Sequence, residues 1–166
     1  MRHAAALLEP QIPALRRYAF ALTRDHAAAD DLVQDTLERA LRRWTLRGDE
    51  LRPWLFTVLH NLFVDDARVR RRRPLHGRLE LHAHDVAALP AQDGALIGRD
   101  ILAQFGALSE EHQAVLLLVT IEGFSYADAA AVLNLPIGTV MSRLSRAREA
   151  FRRLLDGEPA ALRRVK

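Results

Sequence analysis

A chain of 166 residues, 49% hydrophobic and 27% charged, has the length for one ordinary domain or two small ones and the material for a core. Its net charge of +3 is mild, so where the charges fall matters more than their sum. The lack of cysteine excludes disulfides and thiolate metal sites. No apolar run approaches the roughly 20 residues of a membrane span, and no secretory layout opens the chain, so a cytoplasmic protein is expected.

The first periodic stretch ends near Leu22. Leu15, Tyr18, Ala19 and Leu22 recur at helical spacing, and Pro13 suits a first turn, where its missing N–H costs nothing. After a polar break at Thr23 to His26, the pattern predicts a second helix over Ala27 to Trp44. Val33, Leu37, Ala40, Leu41 and Trp44 form its apolar stripe, and Asp31, Gln34, Asp35, Glu38 and Arg42 lie outside it. A solvated acidic face accounts for this arrangement; a partner surface is the sharper alternative. A loop over Thr45 to Arg52 precedes Pro53, which opens a third helix with Leu55, Leu59 and Leu62 on its buried side. Asn61, Asp65, Arg68 and Arg72 share another face. That helix closes on Arg68, Arg70, Arg71, Arg72 and Arg73, before Pro74. Such a run attracts phosphate, and it also suits a helix C-terminus, where cations offset the dipole.

Leu75 to Gly98 loses all period and reads as a flexible linker. Its His82, His84 and Asp85 lack further ligands at a metal-binding spacing, so they are read as linker residues and no metal or other cofactor is expected. A short helix is predicted from Arg99 to Ala107. Ser109 caps the next, Gly123 ends it, and Ala114, Leu117, Leu118 and Ile121 supply its packing face. Ser125, with Asp128 three residues on, caps an alanine-rich helix that Asn134-Leu135-Pro136 breaks. The following helix buries Val140, Leu144, Ala147, Phe151 and Leu154, and turns Thr139, Ser142, Ser145, Arg146 and Glu149 outward; Arg148 is placed closer to the packed face. Two helices about so short a turn form the helix-turn-helix pattern, whose second helix enters a DNA major groove. A helical hairpin with a solvated arginine face would share the pattern. No strand, phosphate-binding glycine loop or catalytic motif occurs, so an all-α protein of two small helical domains joined by a flexible linker is expected, with no catalytic residues.

With both modules placed, the chain resembles the bacterial extracytoplasmic-function (ECF) sigma factors of the sigma-70 family over about residues 9–155. The likeness rests on Ala29 to Thr36 (ADDLVQDT) and Arg52 to Leu62 (RPWLFTVLHNL) in the first module. In the second it rests on Leu108 to Glu111 (LSEE), Glu122 to Tyr126 (EGFSY) and Pro136 to Leu144 (PIGTVMSRL). It implies sigma region 2 over 1–74, a linker over 75–98, region 4 over 99–158 and a tail over 159–166. Asp31, Gln34, Asp35 and Glu38 would meet the clamp helices of core RNA polymerase. Asn61 would hold a flipped base of the promoter −10 element, with Asp65, Arg68, Arg70, Arg71, Arg72 and Arg73 beside it. Thr139, Met141, Ser142, Arg143, Ser145 and Arg146 would read the −35 element, and the second module would also touch the polymerase flap. Met141 departs from the basic residue often found there. The family implies control by an anti-sigma factor and a monomer when free of partners. A free-standing helix-turn-helix regulator is one rival reading. A sigma-like decoy that only binds an anti-sigma factor is another, though decoys usually carry a receiver domain that the sequence lacks. Whether the two modules pack together is left open.

Overall fold

The computed structural model describes residues 2–43, 50–72 and 101–157, and among them it is helical without strands. The first module holds α1 (Arg2–Leu8), a 3-10 turn (Glu9–Gln11), α2 (Ile12–Thr23), α3 (His26–Arg42) and α4 (Leu51–Arg72). The second holds α5 (101–107), α6 (Glu110–Leu116) running into a π-helical turn (Leu117–Ile121), α7 (Tyr126–Leu133) and α8 (Ile137–Leu155). The linker and tail expectations lie outside the described residues, as do His82, His84 and Asp85.

Local chemistry explains most boundaries. Proline interrupts the N-terminal helix as a 3-10 turn at Glu9–Gln11, and Pro13 then sits in the first turn of α2. The Asp25 carboxylate accepts the Ala28 N–H at 2.7 Å and caps α3. Ser125 Oγ accepts the Asp128 N–H at 3.0 Å and donates to the Asp128 carboxylate at 2.6 Å, which fixes the start of α7. Asn134 takes a left-handed conformation (φ 52°) and ends α7, and Pro136 stands at the N-cap of α8.

The apolar faces follow the expected period. Leu15, Tyr18, Ala19 and Leu22 of α2 meet Ala29, Val33 and Ala40 of α3 and Leu55, Phe56, Leu59 and Phe63 of α4. In the second module Val115, Leu118, Val132, Val140, Leu144 and Ala147 are buried. Three expected assignments change. Leu41 stands 45% exposed, while Thr36 is buried and donates its hydroxyl to the Leu32 carbonyl at 2.7 Å. Arg148 is exposed rather than packed. Ile121 is 57% exposed, whereas Glu122 is 4% exposed.

The last exchange has a mechanical cause. An α period from Ala114, Leu117 and Leu118 brings Ile121 to the core. In the π turn Glu122 N–H instead bonds the Leu117 carbonyl, at 2.8 Å, and Phe124 N–H bonds that of Leu118, at 2.9 Å. The wider turn absorbs one extra residue, so Glu122 takes the inward position and Ile121 rotates to solvent.

The buried residues of both modules form one continuous cluster. Helix α4 lies against α7, and α2 against α6. The alanines Ala129 and Ala130, buried on α7, let backbones approach closely.

Candidate nucleic-acid and polymerase interfaces

Helix α4 separates packed and exposed residues by face. Leu55, Phe56, Leu59 and Phe63 are packed inward, while Asn61, Asp65 and Arg68 are exposed. Asp65 lies 3.6 Å from the Arg68 guanidinium, a loose surface pair that leaves the arginine side chain 69% exposed. The backbone of α4 remains helical through Arg72, so the positions of Arg70, Arg71 and Arg72 continue this helix. The side chains of 70–72, and Arg73 altogether, lie outside what is described.

On α8, Met141, Ser142, Ser145 and Arg146 are exposed and Thr139 is half-buried. Arg146 Nε donates to the Ser142 carbonyl at 3.2 Å, which lays the guanidinium along the helix surface. Arg143 stands apart from this set. Its side chain is only 20% exposed and pairs with Glu111 of α6 at 3.1 Å, facing the groove between the modules. Sequence reasoning placed Met141 on this surface but missed its apolar neighbours Ile137 and Tyr126. Ile137 (49% exposed), Met141 (51%) and Tyr126 (40%) stand in solvent beside the arginines. Tyr126, Met141 and Leu144 share a shallow groove with Arg148 and Arg152.

On α3 the residues Asp31, Gln34, Asp35 and Glu38 are all exposed, as a partner surface requires. Gln34 donates to Glu38 at 3.3 Å, and Arg42 pairs with Glu38 at 3.4 Å, so the C-terminal end of this acidic face is locally neutralised.

Between the modules lies a groove of about 240 Å³ lined by Leu22, His60, Phe63, Leu133 and Arg143, among others. Burial pushes the Tyr18 phenol well above its ordinary range, so it stays protonated and shares a hydrogen bond with His60 Nδ1 at 3.0 Å. Burial, with repulsion from Arg143, lowers His60 to about 4. His60 is therefore neutral when folded and charged below its ordinary value, 6.5, when unfolded. The unfolded chain binds the extra proton between these two values, so stability rises with pH across about 4–6.5 and falls as the solution is acidified. The expected slope from this residue approaches about 1.4 kcal/mol per pH unit. Urea titrations at pH 4.5 and 7 check it: a His60→Gln variant should show a flatter dependence than the parent chain, and equal slopes would refute the assignment.

Among the described residues no group of histidine and acidic side chains could hold a metal ion, and no helix is long and apolar enough to cross a membrane.

Two helical modules, one carrying a helix-turn-helix and the other an arginine-ended helix beside an acidic one, have the architecture of a sigma factor. Family profiles agree: the "Sigma2 domain of PhyR" profile matches residues 8–60, and "Sigma-70, region 4" matches 98–151. The chain is 39% identical over 146 residues to the ECF RNA polymerase sigma factor EcfG of Rhodopseudomonas palustris, which covers 87% of this chain and 80% of that one. It is 38% identical over 155 residues to the ECF sigma factor SigL of Mycobacterium tuberculosis, covering 91% and 88%. The sigma factor RpoE of Bartonella quintana, solved with the anti-sigma factor NepR, superposes with a TM-score of 0.80 at 37% identity, over 94% of this chain and 98% of that one. CnrH, solved with the cytosolic domain of CnrY, gives 0.68 at 26% identity, over 94% and 89%. The chain belongs to the ECF RNA polymerase sigma factors, and its function is the family's: directing transcription initiation from promoters.

Proposed function

We propose that the work of initiation is divided between residues 1–74 and 99–158, with 75–98 as the tether. The exposed acidic face of α3 (Asp31, Gln34, Asp35 and Glu38) docks on the clamp helices of core polymerase. The outer face of α4 takes the −10 element: Asn61 holds an unstacked base through its amide donor and acceptor, and the arginines from Arg68 onward hold the strand. Helix α8 enters the major groove at the −35 element with Thr139, Met141, Ser142, Ser145 and Arg146. Arg143 is reserved for positioning, because its guanidinium is held by Glu111. The chain works without catalysis of its own; strand separation draws on base capture and polymerase contacts. Its place of action is the cytoplasm, and an anti-sigma factor controls it, as the complex of the RpoE relative with NepR suggests.

The observation that supports this reading is the exposure of two polar sets on separate modules: Asn61 and Arg68 on α4, and Ser142, Ser145 and Arg146 on α8. A free-standing repressor needs only the second.

The test is run-off transcription with core polymerase on promoters carrying both elements. A promoter-specific transcript, and retention of core polymerase by the immobilised chain, are expected. Arg146→Ala should weaken binding at the −35 element about tenfold, within the 1–3 kcal/mol of a good base contact. A second reading, a decoy that captures an anti-sigma factor, is favoured by the PhyR profile over 8–60. It predicts a tight complex with such a factor and no transcript at any promoter.

A further inference from the structure

The side chain of Glu122 is 1% exposed, and it lies where the two modules meet. One carboxylate oxygen accepts from Arg17 Nε of α2 at 2.8 Å. The other accepts from Arg52 of α4 at 2.8 Å, and the same guanidinium donates to the Glu122 backbone carbonyl at 2.9 Å. Arg52 also stacks near Phe56 of its own helix (5.6 Å) and Phe124 of the second module (5.0 Å), whose rings meet edge-on at 4.9 Å. Both cations come from the first module and the anion from the second, so the group cannot survive separation of the two. Nor does Glu122 reach this place by ordinary helical period: the π turn delivers it.

The closed arrangement conflicts with simultaneous reading of two promoter elements. Sites near −10 and −35 are about 25 base pairs apart, roughly 85 Å at about 3.4 Å per pair. A compact chain of this length has a radius of gyration of only about 15 Å, or roughly 40 Å across. The covalent reach of residues 75–98, about 80 Å when fully extended, permits the wider spacing. The modules must therefore part before both elements are engaged.

We propose that Glu122, Arg17 and Arg52 form an autoinhibitory latch that holds the free chain closed and limits its capture by core polymerase. The proposal rests on the sigma-factor reading above. The latch acts through spacing, because Asn61 and the outer face of α8 remain exposed while it is shut. A binding-competent open state that is only fractionally populated lowers apparent affinity by that fraction. Weakening the latch should thus raise affinity for core polymerase.

Since the chain has no cysteine, the exposed Arg39 and Arg153 can be changed to cysteine and spin-labelled, one label per module. In the full-length chain, Glu122→Gln should lengthen the inter-label distance, shift the open-to-closed ratio about tenfold, and tighten binding of core polymerase by about the same factor. Arg17→Ala, at a half-exposed position, should do both to a smaller degree and serves if the glutamine variant loses helicity. Unchanged distances in both variants overturn the latch, as does opening without tighter binding of a polymerase that the parent chain does bind. If the parent and the opened variants alike fail to bind polymerase, the sigma-factor reading fails instead, and the autoinhibitory role falls with it.

Discussion

Replacing Phe56 by alanine is expected to lower the unfolding free energy by about 3–5 kcal/mol, the cost of emptying a large, fully buried aromatic site. Phe56 has no exposed surface, and its ring meets Tyr18 at 5.3 Å and Phe124 at 4.9 Å, one neighbour in each module. The cavity would open where the cores join, and Arg52 would lose one of its two ring contacts. The loss should therefore reach the second module as well as the first. Urea denaturation followed by circular dichroism measures the total. Hydrogen exchange in the native state locates it: amides of α2 and α4, and also of α6 and α7, should exchange faster. A loss below about 1 kcal/mol, or faster exchange confined to the first module, would mean that Phe56 does not join the cores.

Much of this fold was legible because its signals are local. Ser125, Asn134 and Pro136 punctuate the helix-turn-helix by capping chemistry and backbone preference, and the structure places α7 and α8 where those residues demand. The four buried residues of α2 follow a single helical period. The outward faces of α3 and α8 were equally readable, since an amphipathic helix announces which side chains face solvent. Other features depend on non-local geometry. A π turn has no composition of its own, so the inward turn of Glu122 could not be anticipated from an α period that favours Ile121. Arg143 falls among the −35 residues that the resemblance implies, yet it is held by Glu111 of a neighbouring helix. The role of Arg52 was hidden for the same reason: its partner lies 70 residues away. One clue was available. Glu122 and Arg52 both sit within the motifs that carry the family resemblance, EGFSY and RPWLF, and a charged residue in such a motif that no nucleic-acid contact absorbs is a candidate for an internal pair.

Asn61→Ala should reduce promoter opening about 10- to 100-fold while leaving binding to an intact −35 duplex unchanged. The separation follows from position: Asn61 is on α4, in the other module from Arg146, and the Watson–Crick edge of a base is open to an amide only once the base has left the duplex. Salt distinguishes this contact from its arginine neighbours. Removing Asn61 deletes neutral hydrogen bonds, so affinity for a −10 single strand in the presence of core polymerase should fall by the same factor at low and high salt. Arg68→Ala deletes a cation and should flatten the salt dependence by about 0.7 in logarithmic slope, the value for one phosphate contact on a single strand. Fluorescence of 2-aminopurine in the −10 element reports opening, and anisotropy of labelled strands over a range of salt reports the slopes. Equal losses of opening and −35 binding would make Asn61 a structural residue of α4. A salt-dependent loss at Asn61 would assign it to the backbone rather than to a base. The two substitutions together resolve the outer face of α4 into a part that chooses the strand by its bases and a part that holds it by its charge.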